Sequence, residues 1–127
     1  MLFQRGQFKL HSGAQSDFRI ECDALDDEDI ETLAYLITRR VKSFKHVIGV
    51  PKGGLKLAKA LKKYTINNPE LPILIVDDVL TTGESLIEAL IEVSKKASGQ
   101  AIGAVVFARG SCPEWVTPIF QMEVKDG

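Results

Sequence analysis

At 127 residues the chain holds material for one domain, residues 1–127, and leaves no room for a second. Hydrophobic residues at 45% and charged residues at 26% fit an ordinary globular protein and exclude disordered and membrane-spanning classes. Sixteen basic against seventeen acidic residues leave a formal charge of −1, which argues against nucleic acid as the main partner.

Residues 1–23 read as extended. Phe8 and Leu10, then Phe18, Ile20 and Cys22, fall at period two and are interrupted by the turn-rich stretch 11–16. Met1 to Leu10 lacks the apolar core of a signal peptide. No apolar run reaches the roughly 20 residues that cross a bilayer, so a cytoplasmic protein without a membrane partner is expected. Cys22 and Cys112 belong to no CxxC or Cys/His cluster, and a zinc site is not expected.

From Asp26 the period changes. Ile30, Leu33, Ala34, Ile37, Val41 and Phe44 follow helical spacing, with acids at the start and Arg39, Arg40 and Lys42 at the end to match the helix dipole. His46 to Val50 reads as a short buried strand that turns at Pro51-Lys52-Gly53-Gly54. Leu55 to Tyr64 is helical, with Lys56, Lys59, Lys62 and Lys63 on a solvated face. Leu71 to Val76 is a continuous apolar run, as in a strand covered on both sides. Asp77 to Gly83 is polar, Ser85 to Ala97 is helical, and Ala101 to Ala108 is a last buried strand. Val116 to Phe120 suggests one extra edge strand. This alternation predicts an α/β fold: an open, mainly parallel sheet with helices on both faces.

Ligands of such sheets bind outside the carboxyl ends of the strands. The segment from Ile73 to Ser85 delivers Asp77 and Asp78 to a strand tip, then a loop of small and hydroxyl residues, then a helix start. Backbone N–H groups entering a helix suit a phosphate. The hydroxyls of Thr81, Thr82 and Ser85 add donors, and Gly83 is expected to let the backbone come close. The acids suit sugar hydroxyls or the waters of a hard cation such as Mg2+. Gly49 and Gly54 have the spacing of a nucleotide P-loop, but Leu55 stands where its lysine must be, which rejects that site.

Val76-Asp77-Asp78-Val79-Leu80-Thr81-Thr82-Gly83-Glu84-Ser85 resembles the signature by which type I phosphoribosyltransferases bind 5-phosphoribosyl-1-pyrophosphate (PRPP). The resemblance implies that Asp77 and Asp78 contact the ribose hydroxyls and, through water or those hydroxyls, Mg2+. Val79, Leu80, Thr81, Thr82, Gly83, Glu84 and Ser85 would cradle the 5-phosphate. Val50, Pro51, Lys52 and Gly53 would form the pyrophosphate loop. Phe8 to Ser16 is similar to the N-terminal segment of orotate phosphoribosyltransferases, and Val105 to Gly110 to their later strand. That likeness implies a base site at Lys9, His11 and Arg109, a guanidinium fork suiting a planar carboxylate. His11 replaces a family lysine, Ala108 an aspartate, and Arg19-Ile20 an aromatic pair.

The implied reaction is transfer of 5-phosphoribosyl from PRPP to a nitrogenous base, orotate or a related pyrimidine, releasing pyrophosphate. A homodimer is implied as well. The orotate enzymes carry a long basic loop between the second helix and the acid-bearing strand, whereas only Thr65 to Leu71 is available here. A partner subunit or another segment covers the site, or turnover is slow, or the protein is a regulator that binds PRPP without transfer. The hood over the base is expected to be minimal. Trp115 is expected in core or dimer packing, with stacking on a base as the alternative.

Overall fold

In the computed structural model, residues 25–96 and 99–122 are described. The readings for residues 1–23, including Lys9, His11 and Cys22, lie outside these residues, as does Ala97.

Helix α1 (Asp27–Arg40) starts where the sequence places its acids. Asp26 caps it: its Oδ1 accepts the Asp29 N–H at 2.8 Å, and the Asp29 carboxylate accepts the Asp26 N–H in return. Ile30, Leu33, Ala34 and Ile37 form its buried stripe. The helix stops at Arg40, short of the expected Phe44, yet Phe44 is only 2% exposed and extends the same core from the following loop. Strand β1 (His46–Gly49) follows, then helix α2 (Gly54–Leu61) with a 3-10 turn at Lys62–Tyr64. Strand β2 (Ile73–Leu80), helix α3 (Glu84–Lys96), strand β3 (Ala101–Arg109) and strand β4 (Val116–Met122) complete the described chain.

The strands lie in the order β1-β2-β3-β4, and every pairing among them is parallel. Alternate residues of β2 and β3 feed two cores. Leu74, Val76, Ala104 and Val106 pack under α1 and α2, while Ile73, Ile75 and Val105 pack with Leu86 and Val93 of α3 on the other face. The helices thus cover both faces, as the α/β reading requires. At the far edge, one Arg40 nitrogen donates to the carbonyls of Pro118 and Ile119, both at 3.2 Å, and ties the end of α1 to β4.

One feature departs from the sequence expectation and a second follows it. First, β2 does not end at Val76; it runs through both acids to Leu80. A polar pair inside a strand reads as a loop from composition alone, but β3 continues alongside, with Asp77 opposite Val105 and Leu80 opposite Ala108. Second, Trp115 packs over Gly103 in the amino-terminal half of β3, where a Cβ would come within 2.9 Å of its ring. That is core packing, away from the strand ends where a base would stack.

No helix among the described residues is long and apolar enough to cross a membrane.

Candidate functional site

Strand β1 stops at Gly49, opposite Val76, one residue before the acids. Beyond that point its place beside β2 is taken by the loop 50–53, anchored by the Val50 N–H donating to the Val76 carbonyl at 2.8 Å. A notch therefore opens at the carboxyl end of β1. It holds a cavity of about 490 Å3 lined by Pro51, Lys52, Gly53, Asp77, Asp78, Val79, Thr81 and Ser85. Position and composition match the place where parallel sheets take ligands.

The strand slips at the acids. Val76 and Val79 both face the α1/α2 core, as do Val106 and Phe107 beside them, so the strict two-residue alternation breaks at one level on both strands. The backbone there is satisfied by side chains: the Asp78 N–H donates to Asp77 Oδ1 and the Val79 N–H to Asp78 Oδ1, both at 2.8 Å. Asp77 is 8% exposed. Burial first, and then its hydrogen bond with the Asp78 carboxyl, push the Asp77 carboxyl up to about 8. At neutral pH it keeps its proton, and the pair carries less charge than two free carboxylates.

Across the notch stands Lys52, an exposed cation on a loop whose Pro51–Lys52 peptide is cis. At the third wall, Thr81 and Ser85 line the cavity with α3 beginning behind them. The Thr82 hydroxyl accepts the Glu84 N–H at 3.3 Å, and the Ile87 N–H makes the first helical bond to the Gly83 carbonyl at 3.0 Å. The first-turn N–H groups of a helix have no partner inside it, which makes this end receptive to an anion.

Of the residues named from sequence, the structure gathers Pro51, Lys52, Gly53, Asp77, Asp78, Val79, Thr81 and Ser85 around one space. Val50 and Leu80 are buried, and their side chains belong to the α3-side core. Thr82 shapes the turn, and Glu84 is exposed. Gly83 has φ +84°, a left-handed turn, with nothing within 4 Å of a Cβ position. Arg109 ends β3 beside Met122 and does not line the cavity.

Two relationships were not legible from the sequence. Lys56, exposed as expected, also borders a smaller cavity of about 190 Å3 on the other side of Asp78, with Leu25, Ile30 and Leu57. Gly53 lies directly against the Asp78 carboxylate. A larger, mostly apolar groove of about 610 Å3 between β1 and α3 shares Pro51 and Ser85 with the notch but lacks the acid pair.

Among the described residues no group of three or more His, Cys, Asp or Glu could hold a metal. With Asp77 protonated, the Asp78 carboxylate is the member of the pair suited to an ion such as Mg2+, which keeps its waters and leans on substrate phosphates instead of a protein cage.

No family model matches the chain. Curated relatives do. An orotate phosphoribosyltransferase of Pyrobaculum calidifontis is 32% identical over 129 residues, covering 80% of this chain and 66% of the relative. One from Pyrobaculum islandicum is 32% identical over 131 residues, with the same coverage. One from Pyrobaculum aerophilum is 30% identical over 136 residues, covering 84% of this chain and 69% of the relative. The chain thus spans just under two-thirds of the first two relatives. Among solved structures, a hypoxanthine-guanine-xanthine phosphoribosyltransferase aligns at TM-score 0.46 and 18% identity, over 76% of this chain and 73% of that one. A Schistosoma mansoni hypoxanthine-guanine phosphoribosyltransferase in complex with IMP aligns at TM-score 0.44 and 18% identity, over 76% and 62%.

Proposed function

The chain belongs to the type I phosphoribosyltransferase family, with likeness to its orotate phosphoribosyltransferases, and from that premise we propose that it transfers 5-phosphoribosyl from PRPP to a nitrogenous base. One observation carries the proposal. Two acids, a lysine-bearing loop and a hydroxyl-lined helix start converge on a single cavity of about 490 Å3. A phosphorylated sugar with a second anion at its other end has the complementary layout.

Thr81, Ser85 and the first N–H groups of α3 hold the 5-phosphate. Asp77 and Asp78 accept hydrogen bonds from the ribose hydroxyls. Lys52 and the amides around Gly53 hold the pyrophosphate. The bond from the anomeric carbon to the pyrophosphate oxygen breaks with its electron pair on that oxygen, a ring nitrogen of the base supplies the pair for the new bond, and the proton on that nitrogen leaves to solvent. No protein nucleophile is needed; the chain contributes orientation and charge. Mg2+, held at Asp77 and Asp78 through water or ribose hydroxyls, supplies further neutralisation of the leaving group when bound. The acceptor we assign is orotate or a related pyrimidine, supported by the orotate-type motifs and by the names of the relatives, with Lys9, His11 and Arg109 on the base side.

A specific observation favours a second reading, a non-catalytic PRPP-binding regulator. The connection Thr65–Pro72 contains no Lys, Arg or His. It is pinned at the amino ends of β1 and β2, where the Ile66 N–H donates to the Phe44 carbonyl and the Lys45 N–H to the Pro72 carbonyl. That is the opposite end of the sheet from the notch, so this segment cannot close over it. A second copy of the chain, as the family resemblance implies, is the cover we assign. Sedimentation analysis tests it, and a monomer at assay concentrations contradicts it.

Pyrophosphate release from Mg2+·PRPP over orotate, uracil and purine bases separates the readings. Release with a pyrimidine supports the transferase as stated. Binding without release for any base supports the regulator.

A further inference from the structure

Gly53 has φ −61° and ψ −29°, an ordinary right-handed backbone that any residue adopts. Its glycine is therefore not required by conformation. It is required by space: a Cβ built there overlaps the carboxylate of Asp78, with Oδ2, Cγ and Oδ1 as its three nearest neighbours. Asp78 is held in place from the other side, because its Oδ1 accepts the Val79 N–H at 2.8 Å. The carboxylate is thus seated between its own backbone and the α-carbon of the neighbouring loop.

We infer that Gly53 is a positioning residue for Asp78: the bare α-carbon of the lysine-bearing loop forms the seat that fixes the carboxylate aimed at the sugar hydroxyls. The inference rests on the phosphoribosyl reading of the notch. It differs from a role in which Gly53 merely offers its N–H to pyrophosphate, since alanine keeps that N–H. It also links the two anion-facing walls. Whatever shifts the loop 50–53 shifts the Asp78 seat, so the sugar and the leaving group are held by one mechanical unit. Close-packed interiors transmit displacements of this kind instead of absorbing them.

The test uses Gly53→Ala, Asp78→Ala and the double variant in the full chain, because Asp78→Ala removes all three atoms that the new Cβ meets. Two ligands are titrated: PRPP, and ribose 5-phosphate, which has no pyrophosphate. Gly53→Ala is expected to weaken ribose 5-phosphate by about tenfold or more, the scale of one lost charge-assisted hydrogen bond. In the Asp78→Ala background the same substitution is expected to add no further loss. Melting temperature supplies an independent readout if binding becomes too weak to measure. Gly53→Ala is expected to lower it in the parent and leave it unchanged in the Asp78→Ala background, a non-additivity that distant effects do not produce. Unchanged ribose 5-phosphate affinity in Gly53→Ala, or equal melting losses in both backgrounds, overturns the inference alone. A parent chain that binds neither ligand overturns the phosphoribosyl reading itself, while the melting comparison still reports on the contact.

Discussion

Asp77 Oδ1 accepts the backbone N–H of Asp78 at 2.8 Å, and Asp78 Oδ1 does the same for Val79. Each acid thus supports the chain one residue onward, and both line the notch, Asp77 as the buried member of the pair. An amide oxygen can replace the accepting carboxylate oxygen in both places. Asp77→Asn, Asp78→Asn and their combination should therefore fold, which makes them clean probes of function.

The raised Asp77 pKa has a consequence for stability. The unfolded carboxyl titrates near ~3.9, while the folded one titrates at about 8. The native state then holds a proton that the unfolded state has released. The contribution is fully present below the unfolded value and is lost as pH rises through the folded one. Denaturant melts across that window should show the parent losing stability toward alkaline pH. Asp77→Asn should remove this component, and parallel pH profiles for the two proteins would contradict the assignment.

Gly83 makes a different prediction from Gly53. Its φ of +84° with open space around it means a side chain is strained but not blocked. Gly83→Ala should cost about 1 kcal/mol, and Gly83→Asn less, because asparagine tolerates the left-handed region better. Equal losses from the two substitutions in urea melts would point to a packing role instead.

Arg40 bridges two layers through the carbonyls of Pro118 and Ile119. Arg40→Met keeps the aliphatic stem and removes both donors, and should destabilise the chain by about 1 kcal/mol, the net scale of such bonds. An unchanged denaturation midpoint would mean that the edge strand is held by packing alone.

Gly103 and Trp115 test whether the indole belongs to the core. Gly103→Ala brings a methyl group within 2.9 Å of the ring and should cost about 1–3 kcal/mol, as overpacking does. Trp115→Leu should lower the melting temperature without changing PRPP affinity. A loss of affinity would return the indole to the ligand site.

The order of helices and strands was legible in the sequence because Ile30, Leu33, Ala34 and Ile37 repeat at a helical period and Ile73 to Val76 is uniformly apolar. The β2 end was not. Asp77 and Asp78 look like a loop to any reading based on polarity, and only the continuing ladder with Val105 to Ala108 keeps them in a strand. The notch residues were legible as a motif, since their spacing along β2 and α3 is local. The seat at Gly53 was not, because it joins residues from different elements and leaves no periodic trace. Thr82 adds a second such link: its hydroxyl accepts the Glu84 N–H and keeps its own O–H to donate.

The most direct test of the central claim is calorimetric titration of Mg2+·PRPP into the parent chain and into Asp77→Asn/Asp78→Asn, with circular dichroism confirming that both are folded. The phosphoribosyl reading predicts saturable binding to the parent, stronger than that of inorganic phosphate, and loss of that preference in the double variant. PRPP bound no better than phosphate by the parent, or bound equally by both proteins, would contradict it.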